Sequence, residues 1–351
     1  MNHIVSQGDE CARFFQEYIK PGRRILCIAT LGFNDVCLHF PLALAQFSEV
    51  DFLFLVEERP EVSEVLHEAA RRNRQVLMQA LSKRTVTFEQ VDIVASDDTA
   101  NVAGRRAARA CAAAMHQSYS DVIVDASSMS RGVCFPVVKY FFERSKSGTG
   151  VTAHVVTAGR NRSAIKAEST SSDSPQYVHG FQADMDTDRT RKAIKLWIPQ
   201  LSENARTSLS RIQSKLAPDE ACPILPFPSA DPCRGDRLLK EFQLPILNEW
   251  NVNLLDVIYA HEADPMDVCA TIMRIHRSRS EALAASTNLP AVTVLSPSGT
   301  RIGSVGMLLA AMEQDLPIMY EESIGYSSAL SSVPPLSETP PEHLWHIWLR
   351  P

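Results

Sequence analysis

The sequence lacks a cysteine pattern of the kind that binds zinc. Its eight cysteines stand apart at positions 11, 27, 37, 111, 134, 222, 233 and 269, and no C-x-x-C pair or Cys/His cluster of zinc spacing occurs. Most lie in apolar stretches, where a reduced cysteine packs as a small hydrophobic residue. We therefore predict no bound metal and a reducing, cytoplasmic compartment.

Signals for export and for membranes are also missing. The stretch MNHIVSQGDECARF has no basic segment followed by an apolar one, so we predict no signal peptide. No apolar run is long enough to span a bilayer. The formal net charge of −6 argues against a mainly electrostatic grip on duplex nucleic acid or on an anionic membrane. A local basic pocket for one small anion stays compatible with this charge.

Three motifs of nucleotide enzymes and hydrolases are absent. The P-loop pattern G-x-x-x-x-G-K-[ST] does not occur, and no G-x-G-x-x-G fingerprint follows the first apolar run. The sequence also has no G-x-S-x-G nucleophile elbow. These absences argue against a P-loop NTPase, a dinucleotide-binding enzyme and an α/β-hydrolase, and we predict no resident cofactor.

Strand-like runs alternate with helix-like segments from residue 24 onward. Apolar runs at 24–30, 50–58, 86–94 and 151–159, together with DVIVDASSM, predict strands, and the segments between them predict helices. This alternation is typical of a parallel sheet covered on both faces. A second alternation begins near residue 191, after a polar, serine-rich stretch.

The length of 351 residues is sufficient for two domains. We predict an α/β fold with two Rossmann-like parallel-sheet domains related by internal duplication. The predicted divisions are a first domain at 1–160, a linker or excursion at 161–190, a second domain at 191–327 and a Pro/Trp-rich C-terminal tail at 328–351. For that tail we expect packing against its own chain, with partner binding as the alternative.

One strand–loop–helix segment occurs twice. Residues 122–138 read VIVDASSMSRGVCFPVV and residues 292–311 read VTVLSPSGTRIGSVGMLLAA. Laid together without gaps, the matched pairs are Val124 and Val294, Ser128 and Ser298, Ser130 and Thr300, and Arg131 and Arg301. A Ser/Thr/Gly-rich turn that enters a helix exposes N–H groups and hydroxyls, and the arginine adds charge-assisted bonds. The pattern therefore suits a phosphate, although a plain βα turn with a helix cap explains it equally well.

The second copy, LSPSGTRIGSVGMLLAAMEQDLPIMYEE, resembles the ligand loop of CRISPR-associated Rossmann-fold (CARF) domains, with Arg301 where that family usually has lysine. ATLGFND and VDASSMSR resemble its other loops. CARF domains act in pairs around a cyclic oligonucleotide, and SAVED domains carry two CARF-like units in one chain. The resemblance implies a nucleotide-sensing or partner-binding component of a prokaryotic antiviral defence system. It also implies a separate effector chain.

By this resemblance the ligand-binding residues are Thr30, Gly32, Phe33, Asn34, Ser127, Ser128, Ser130, Arg131, Ser296, Ser298, Gly299, Thr300 and Arg301. We predict no catalytic residue among them. Two alternatives stay open. One is a ring-nuclease-like or other nucleotide enzyme that uses Asp125, Glu57 or His261 as acid or base. The other is a structural subunit whose pocket is filled by side chains such as Phe33 and Met129.

Overall fold

A computed structural model describes residues 2–94, 102–115, 118–148, 150–183, 185, 193–250, 252–286 and 289–350. The chain divides into two compact units. Unit 1 comprises Met1–Thr170 and Ser323–Pro351, and unit 2 comprises Ser171–Glu322. Among the described residues, none of the helices is both long and apolar enough to cross a membrane.

The first run of strands and helices belongs to unit 1. Its strands are β1 (Asn2–Gln7), β2 (Ile25–Thr30), β3 (Val50–Glu58), β4 (Glu61–Val62), β5 (Val86–Asp92), β6 (Asp121–Asp125), β7 (Thr152–Gly159) and β8 (Glu168–Ser171). Its helices are α1 (Asp9–Tyr18), α2 (His39–Leu44), α3 (Glu64–Ala80), α4 (Ala103–Ala114) and α5 (Arg131–Lys146). The sequence also predicts a helix cap at Asp97 or Asp98, before α4, and both of these residues lie outside the described ones.

Unit 2 contains strands β9 (Gln176–Tyr177), β10 (Ile194–Pro199), β11 (Glu220–Ala221), β12 (Ile224–Pro226), β13 (Ile258–Ala260), β14 (Ala291–Ser296) and β15 (Met319–Tyr320). Its α-helices are α6 (Arg206–Leu216), α7 (Arg234–Glu241), α8 (Pro265–Ser286) and α9 (Arg301–Gln314). The chain then returns to unit 1 as β16 (Ser323–Ser327) and β17 (His343–Arg350).

The main sheet of unit 1 has seven strands in the order β1-β17-β7-β6-β2-β3-β5. The five strands from β7 to β5 run parallel, whereas β17 and β1 are antiparallel to their neighbours. All six residues of β2, the middle one of the five parallel strands, are buried. This is expected for a parallel strand that is covered by helices on both faces. The order reverses between β2 and β6, which is the switch point of a Rossmann-like sheet. The prediction of a Rossmann-like α/β fold is therefore confirmed.

The segment predicted as a C-terminal tail is a strand of this sheet. β17 lies between β1 and β7, with Trp345 opposite both Gln7 and Thr157. The strand is largely buried, since Trp345, His346, Ile347 and Leu349 are each at most 4% exposed. The chain from residue 328 onward thus belongs to unit 1 rather than to a separate tail. The excursion predicted at 161–190 likewise contains β8, which adjoins β16.

Unit 2 repeats the strand order of unit 1. β10 lies between β11 and β14, and isolated bridges join Gln200 to Ile224 and Leu295 to Ile318. The resulting order is β13, β12, β10, β14, β15, with β9 antiparallel at the edge. In unit 1 the matching order is β5, β3, β2, β6, β7, with β17 antiparallel. The internal repeat expected from the sequence is therefore visible in the topology.

Candidate functional site

The two loops at the switch point of unit 1 are in close contact. One follows β2 and contains Gly32, and the other follows β6 and contains Ser128. A Cβ placed on Gly32 would lie 3.0 Å from the Ser128 Cβ and 3.2 Å from its Oγ. Glycine therefore permits this approach. The structure thus brings together the first-loop and second-loop residues that the sequence predicted.

Four polar atoms at this switch point are buried and have no hydrogen-bond partner among the described residues. They are Thr30 Oγ1, Asp125 Oδ2, Ser128 Oγ and Ser130 Oγ. Thr30, Asp125 and Ser130 are each at most 4% exposed. Buried polar groups in folded proteins almost always have a partner, so each of these atoms marks a place where a water or ligand bonds.

Asp125 ends β6 and binds its own loop. Its Oδ1 accepts from the Ser127 N–H at 2.9 Å and from the Ser127 Oγ at 2.5 Å. Ser127 Oγ in turn accepts from the Ala158 N–H at 2.8 Å, which ties the loop to β7. Burial raises the pKa of Asp125 to about 7, although both bonds from Ser127 lower it. The hydroxyl of Ser127, a predicted ligand residue, is therefore engaged inside the fold.

The amino terminus of α5 is occupied by a carboxylate. Ser130 is the N-cap residue, and its side chain makes no capping bond. Its backbone N–H donates to Glu57 Oε1 at 2.7 Å, and Glu57 Oε2 accepts from Arg59 Nη2 at 2.7 Å. The side chains of Glu57 and Arg59 are 5% and 6% exposed. Glu57, predicted as a possible acid or base, thus caps a helix, and sequence reasoning missed Arg59 altogether.

Other predicted residues of the first loop contact their own chain. Asn34 Oδ1 accepts from the Val36 N–H at 3.3 Å, and its Nδ2 donates to Ser163 Oγ at 3.0 Å. The Phe33 ring packs edge-on against Tyr326 with centroids 5.5 Å apart. These contacts hold the loop in place.

Two residues of the second loop complete this edge of unit 1. Met129 is 1% exposed, and Arg131 is the partly exposed first residue of α5. Met129 therefore contributes to the core, while Arg131 lies at the helix amino terminus that the sequence predicted.

Asn73 is a contributor that the sequence reasoning overlooked. It is fully buried in α3, and its Nδ2 donates to the Gly32 carbonyl at 2.9 Å. The signal was present in the sequence, because Asn73 occupies the apolar stripe of α3 with Leu66, Ala69 and Leu77. A polar residue at a core position of a helix indicates a buried bond.

A second buried polar group lies at the opposite, amino-terminal end of β6 and β7. Asp121 accepts from Tyr18 at 2.7 Å and pairs with Arg23 at 3.0 Å, and His154 Nε2 lies 3.5 Å from its Oδ1. His154 Nδ1 contacts His346 Nε2 at 3.0 Å. Burial, followed by His154, lowers the pKa of His346 to about 3. This group links α1, β6, β7 and β17, and the sequence analysis did not predict it.

The equivalent loop of unit 2 is bonded internally. Ser296 Oγ accepts from Trp197 Nε1 at 2.9 Å and donates to the Met319 carbonyl at 2.9 Å. Thr300 caps α9 by accepting from the Gly303 N–H at 3.1 Å, and it donates to the Glu262 carbonyl at 2.8 Å. The hydroxyls of these two predicted ligand residues are thus engaged by unit 2 itself.

The side chain of Gln200 lies across this loop. A Cβ on Gly299 would be 2.2 Å from Gln200 Cδ, and a Cβ on Gly303 would be 2.2 Å from its Nε2. Gln200 is 4% exposed. It therefore fills the space at the amino terminus of α9, beside Ser298 and Arg301, in which the sequence predicted a ligand.

Charged side chains around α7 form a network of ion pairs. Arg234 pairs with Glu203 at 2.7 Å and also with Glu262. The His261 Nδ1 accepts from the Ala263 N–H at 3.0 Å. Asp264 Oδ1 accepts from N–H groups of the first turn of α8 and so caps this helix. These contacts are structural bonds of unit 2.

No known family model matches the chain, and no curated protein matches it in sequence. Among solved structures, the chain is similar to a protein assigned to the universal stress proteins, from Pseudomonas aeruginosa UCBPP-PA14. The identity is 13%, the match covers 86% of this chain and 94% of that chain, and the TM-score is 0.27. This likeness assigns neither a ligand nor an activity.

Proposed function

We propose that unit 1 binds a small anionic ligand of the nucleotide class at the loops that follow β2 and β6. The observation that carries this proposal is a set of buried hydroxyls at the carboxyl ends of β2 and β6 that have no partner among the described residues: Thr30 Oγ1, Ser128 Oγ and Ser130 Oγ. Sheets of this order bind ligands at the switch point, beyond the carboxyl ends of their strands.

The chemistry of these groups suits a nucleotide. Serine and threonine hydroxyls both donate and accept, so they can bond to phosphate oxygens and to ribose hydroxyls. The amino terminus of α5 carries partial positive charge, which favours an anion. Arg131, at the first position of α5, supplies a charge-assisted donor. We propose binding rather than catalysis, because Asp125 and Glu57 already accept from backbone N–H groups.

We further propose that the protein is a cytoplasmic nucleotide-sensing or partner-binding component of a prokaryotic antiviral defence system. The support is the CARF-like loop from Ser296 to Arg301 together with the repeated strand order, which resembles the two-unit SAVED arrangement. By that resemblance the ligand is a cyclic oligonucleotide and the output enzyme is a separate chain.

The second candidate function is that of a structural subunit whose pocket is closed and which binds another protein. In unit 2 this candidate is favoured by Gln200, which fills the space against Gly299 and Gly303. In unit 1 it is favoured by buried Met129 and by Phe33 packed on Tyr326. On this view the protein acts by contact with another protein, and no nucleotide stabilises it.

A thermal-shift series separates the two candidates. The purified protein is heated with a panel of cyclic dinucleotides, cyclic oligonucleotides and linear nucleotides. A ligand present at about 100 times its dissociation constant adds roughly 2.7 kcal/mol, or about 5–10 °C in melting temperature. We expect Arg131→Ala to abolish this rise and the matched variant Arg301→Ala, at the equivalent position of α9, to keep it. Equal loss in both variants would mean that unit 2 also binds the ligand, and no shift with any nucleotide favours the closed subunit.

A further inference from the structure

We propose that Glu57 is a resident counter-anion of the α5 amino terminus, which an anionic ligand displaces while Arg59 transfers its ion pair to that ligand. This inference rests on the proposed function, because it names the residues that an incoming anion must exchange with. It adds Glu57 and Arg59 to the site and explains how a buried helix terminus stays satisfied before the ligand arrives.

The contacts of Glu57 are those of a bound anion. One carboxylate oxygen accepts from the Ser130 N–H, and the other accepts from Arg59, both at 2.7 Å. The helix it caps has 16 residues, so its amino terminus carries the usual partial positive charge. A carboxylate in this place supplies the same interactions as one edge of a phosphate.

The hydroxyls beside Glu57 indicate that this occupation is incomplete. Ser130 and Thr30 are 2% and 4% exposed, and their oxygens have no hydrogen-bond partner within the described chain. Thr30 lies opposite Leu55 in the sheet, and side chains of alternate residues share a face. Thr30 and Glu57 therefore point to the same side of the sheet. Glu57 has only two oxygens, both already committed, whereas a phosphate brings enough oxygens for the N–H, Arg59 and these hydroxyls together.

Arg59 is held in place by groups other than Glu57. Its Nε donates to the Ser323 carbonyl at 3.0 Å, and its guanidinium lies 5.1 Å from the centre of the Tyr326 ring. A buried arginine without a counter-charge is costly, so Glu57 leaves only in exchange for another anion. Glu58, the next residue, is exposed, so solvent lies one residue from Glu57 along the chain.

Calorimetric titration of the full-length protein tests the exchange. The probes are inorganic phosphate and the nucleotide that gives the largest thermal shift. Glu57→Gln keeps the size of the side chain and removes its charge, so we expect it to bind these probes about tenfold or more tightly than the wild type. The matched control Glu58→Gln loses the same charge from an exposed neighbour, and its affinity should stay within about twofold of the wild type.

The outcomes separate this inference from the proposed function. Tighter binding by Glu57→Gln alone, including binding that the wild type does not show, supports the exchange. Equal and measurable affinities of wild type and Glu57→Gln overturn the exchange and leave the nucleotide site standing. Absence of binding in both overturns both proposals.

A measurement on the wild type guards against a folding defect in the variant. In amide NMR spectra, added phosphate should shift the Ser130 N–H, because its acceptor changes from carboxylate to phosphate. A Ser130 resonance that stays fixed while phosphate binds elsewhere overturns the exchange. Glu57→Asp provides a further check, since it keeps the charge but shortens the reach, and it should bind more tightly than the wild type and less tightly than Glu57→Gln.

Discussion

Helices α5 and α9 begin at N-cap residues with nearly the same backbone angles. Ser130 has φ −63° and ψ 154°, and Thr300 has φ −62° and ψ 159°. The hydroxyl of Thr300 caps its helix, whereas the hydroxyl of Ser130 makes no bond to any described residue. The two units therefore share one loop geometry and differ in what satisfies its polar groups.

The groups that lie at the helix amino terminus also differ between the two units. In unit 2 a neutral side chain, Gln200, fills the helix amino terminus, while in unit 1 the charged residues Glu57 and Arg59 lie there. At the end of the strand that precedes each helix, the gap-free match of the two segments pairs Asp125 of unit 1 with Leu295 of unit 2, and both residues are buried. The loop of unit 2, which resembles the CARF loop more strongly, is the one filled by a side chain of its own unit. Our proposal therefore places the site in unit 1 on the basis of its unsatisfied hydroxyls rather than of the Ser/Thr/Gly pattern.

The largest expected effect on stability comes from replacing Asp125, the buried acid whose matched residue in unit 2 is Leu295. The folded-state pKa of Asp125, about 7, exceeds its ordinary value, so its stabilising contribution is complete below about pH 4 and is lost as the pH rises through 7. We expect Asp125→Asn to be more stable than the wild type by up to about 4 kcal/mol at pH 8 and nearly equal at pH 4. Urea unfolding at both pH values measures this difference.

Asp121→Asn serves as the control, because we expect it to change stability at pH 8 in the opposite direction to Asp125→Asn. Burial raises the pKa of Asp121, but contacts with His154, Ser120 and Tyr18 outweigh it and hold the pKa at about 2. This carboxylate therefore stabilises the fold above about pH 4, and its contribution is lost as the pH falls through 2. The variant should be destabilised at pH 8. If Asp125→Asn is also destabilised at pH 8, the ionised form of Asp125 is needed and the comparison with Leu295 fails.

The next largest effect comes from removing a hydrogen-bonded hydroxyl of unit 2, compared with an unpartnered hydroxyl of unit 1. Ser296→Ala leaves the buried Trp197 N–H and the Met319 carbonyl without this partner, which should cost about 1–3 kcal/mol. Ser128→Ala, which removes a buried hydroxyl without a partner among the described residues, should change stability by less than about 0.5 kcal/mol. Hydrogen exchange of peptides from each unit reads the two changes separately. Equal losses would show that Ser128 has a bond of similar strength.

The two helix caps give a smaller, matched contrast. Thr300→Ala removes the bonds to the Gly303 N–H and the Glu262 carbonyl and should cost about 1–2 kcal/mol. Ser130→Ala should cost under about 0.5 kcal/mol without ligand, because its backbone N–H keeps Glu57. Chemical unfolding of both variants checks the prediction. A larger loss for Ser130→Ala than for Thr300→Ala would reverse the comparison.

The smallest effect concerns the side chain that closes unit 2. Gln200→Ala removes packing against Gly299 and Gly303, but it also removes a buried Oε1 without a partner in the described residues. These changes oppose each other, and we expect a loss of about 1 kcal/mol or less. Thermal melting with and without phosphate measures both stability and any newly opened anion site. A loss of several kcal/mol in stability would show that Gln200 is needed for core packing and does not merely fill the space at the amino terminus of α9.

The sequence by itself determined the local elements of this protein. Alternating apolar runs predicted strands such as β2 and β3, and the gap-free match of Ser130 with Thr300 predicted where α5 and α9 begin. These features follow from periodicity and capping, which depend on residues close together along the chain.

Only the tertiary structure decided which distant residues meet. β17 pairs with β1 from the other end of the chain, Glu57 reaches Ser130, and Gln200 covers Gly303. Such contacts depend on strand order and on the direction of each side chain, which no local pattern records. The sequence therefore placed the candidate loops, and the fold decided that the hydroxyls of Ser296 and Thr300 bond within unit 2, whereas those of Ser128 and Ser130 in unit 1 have no partner among the described residues.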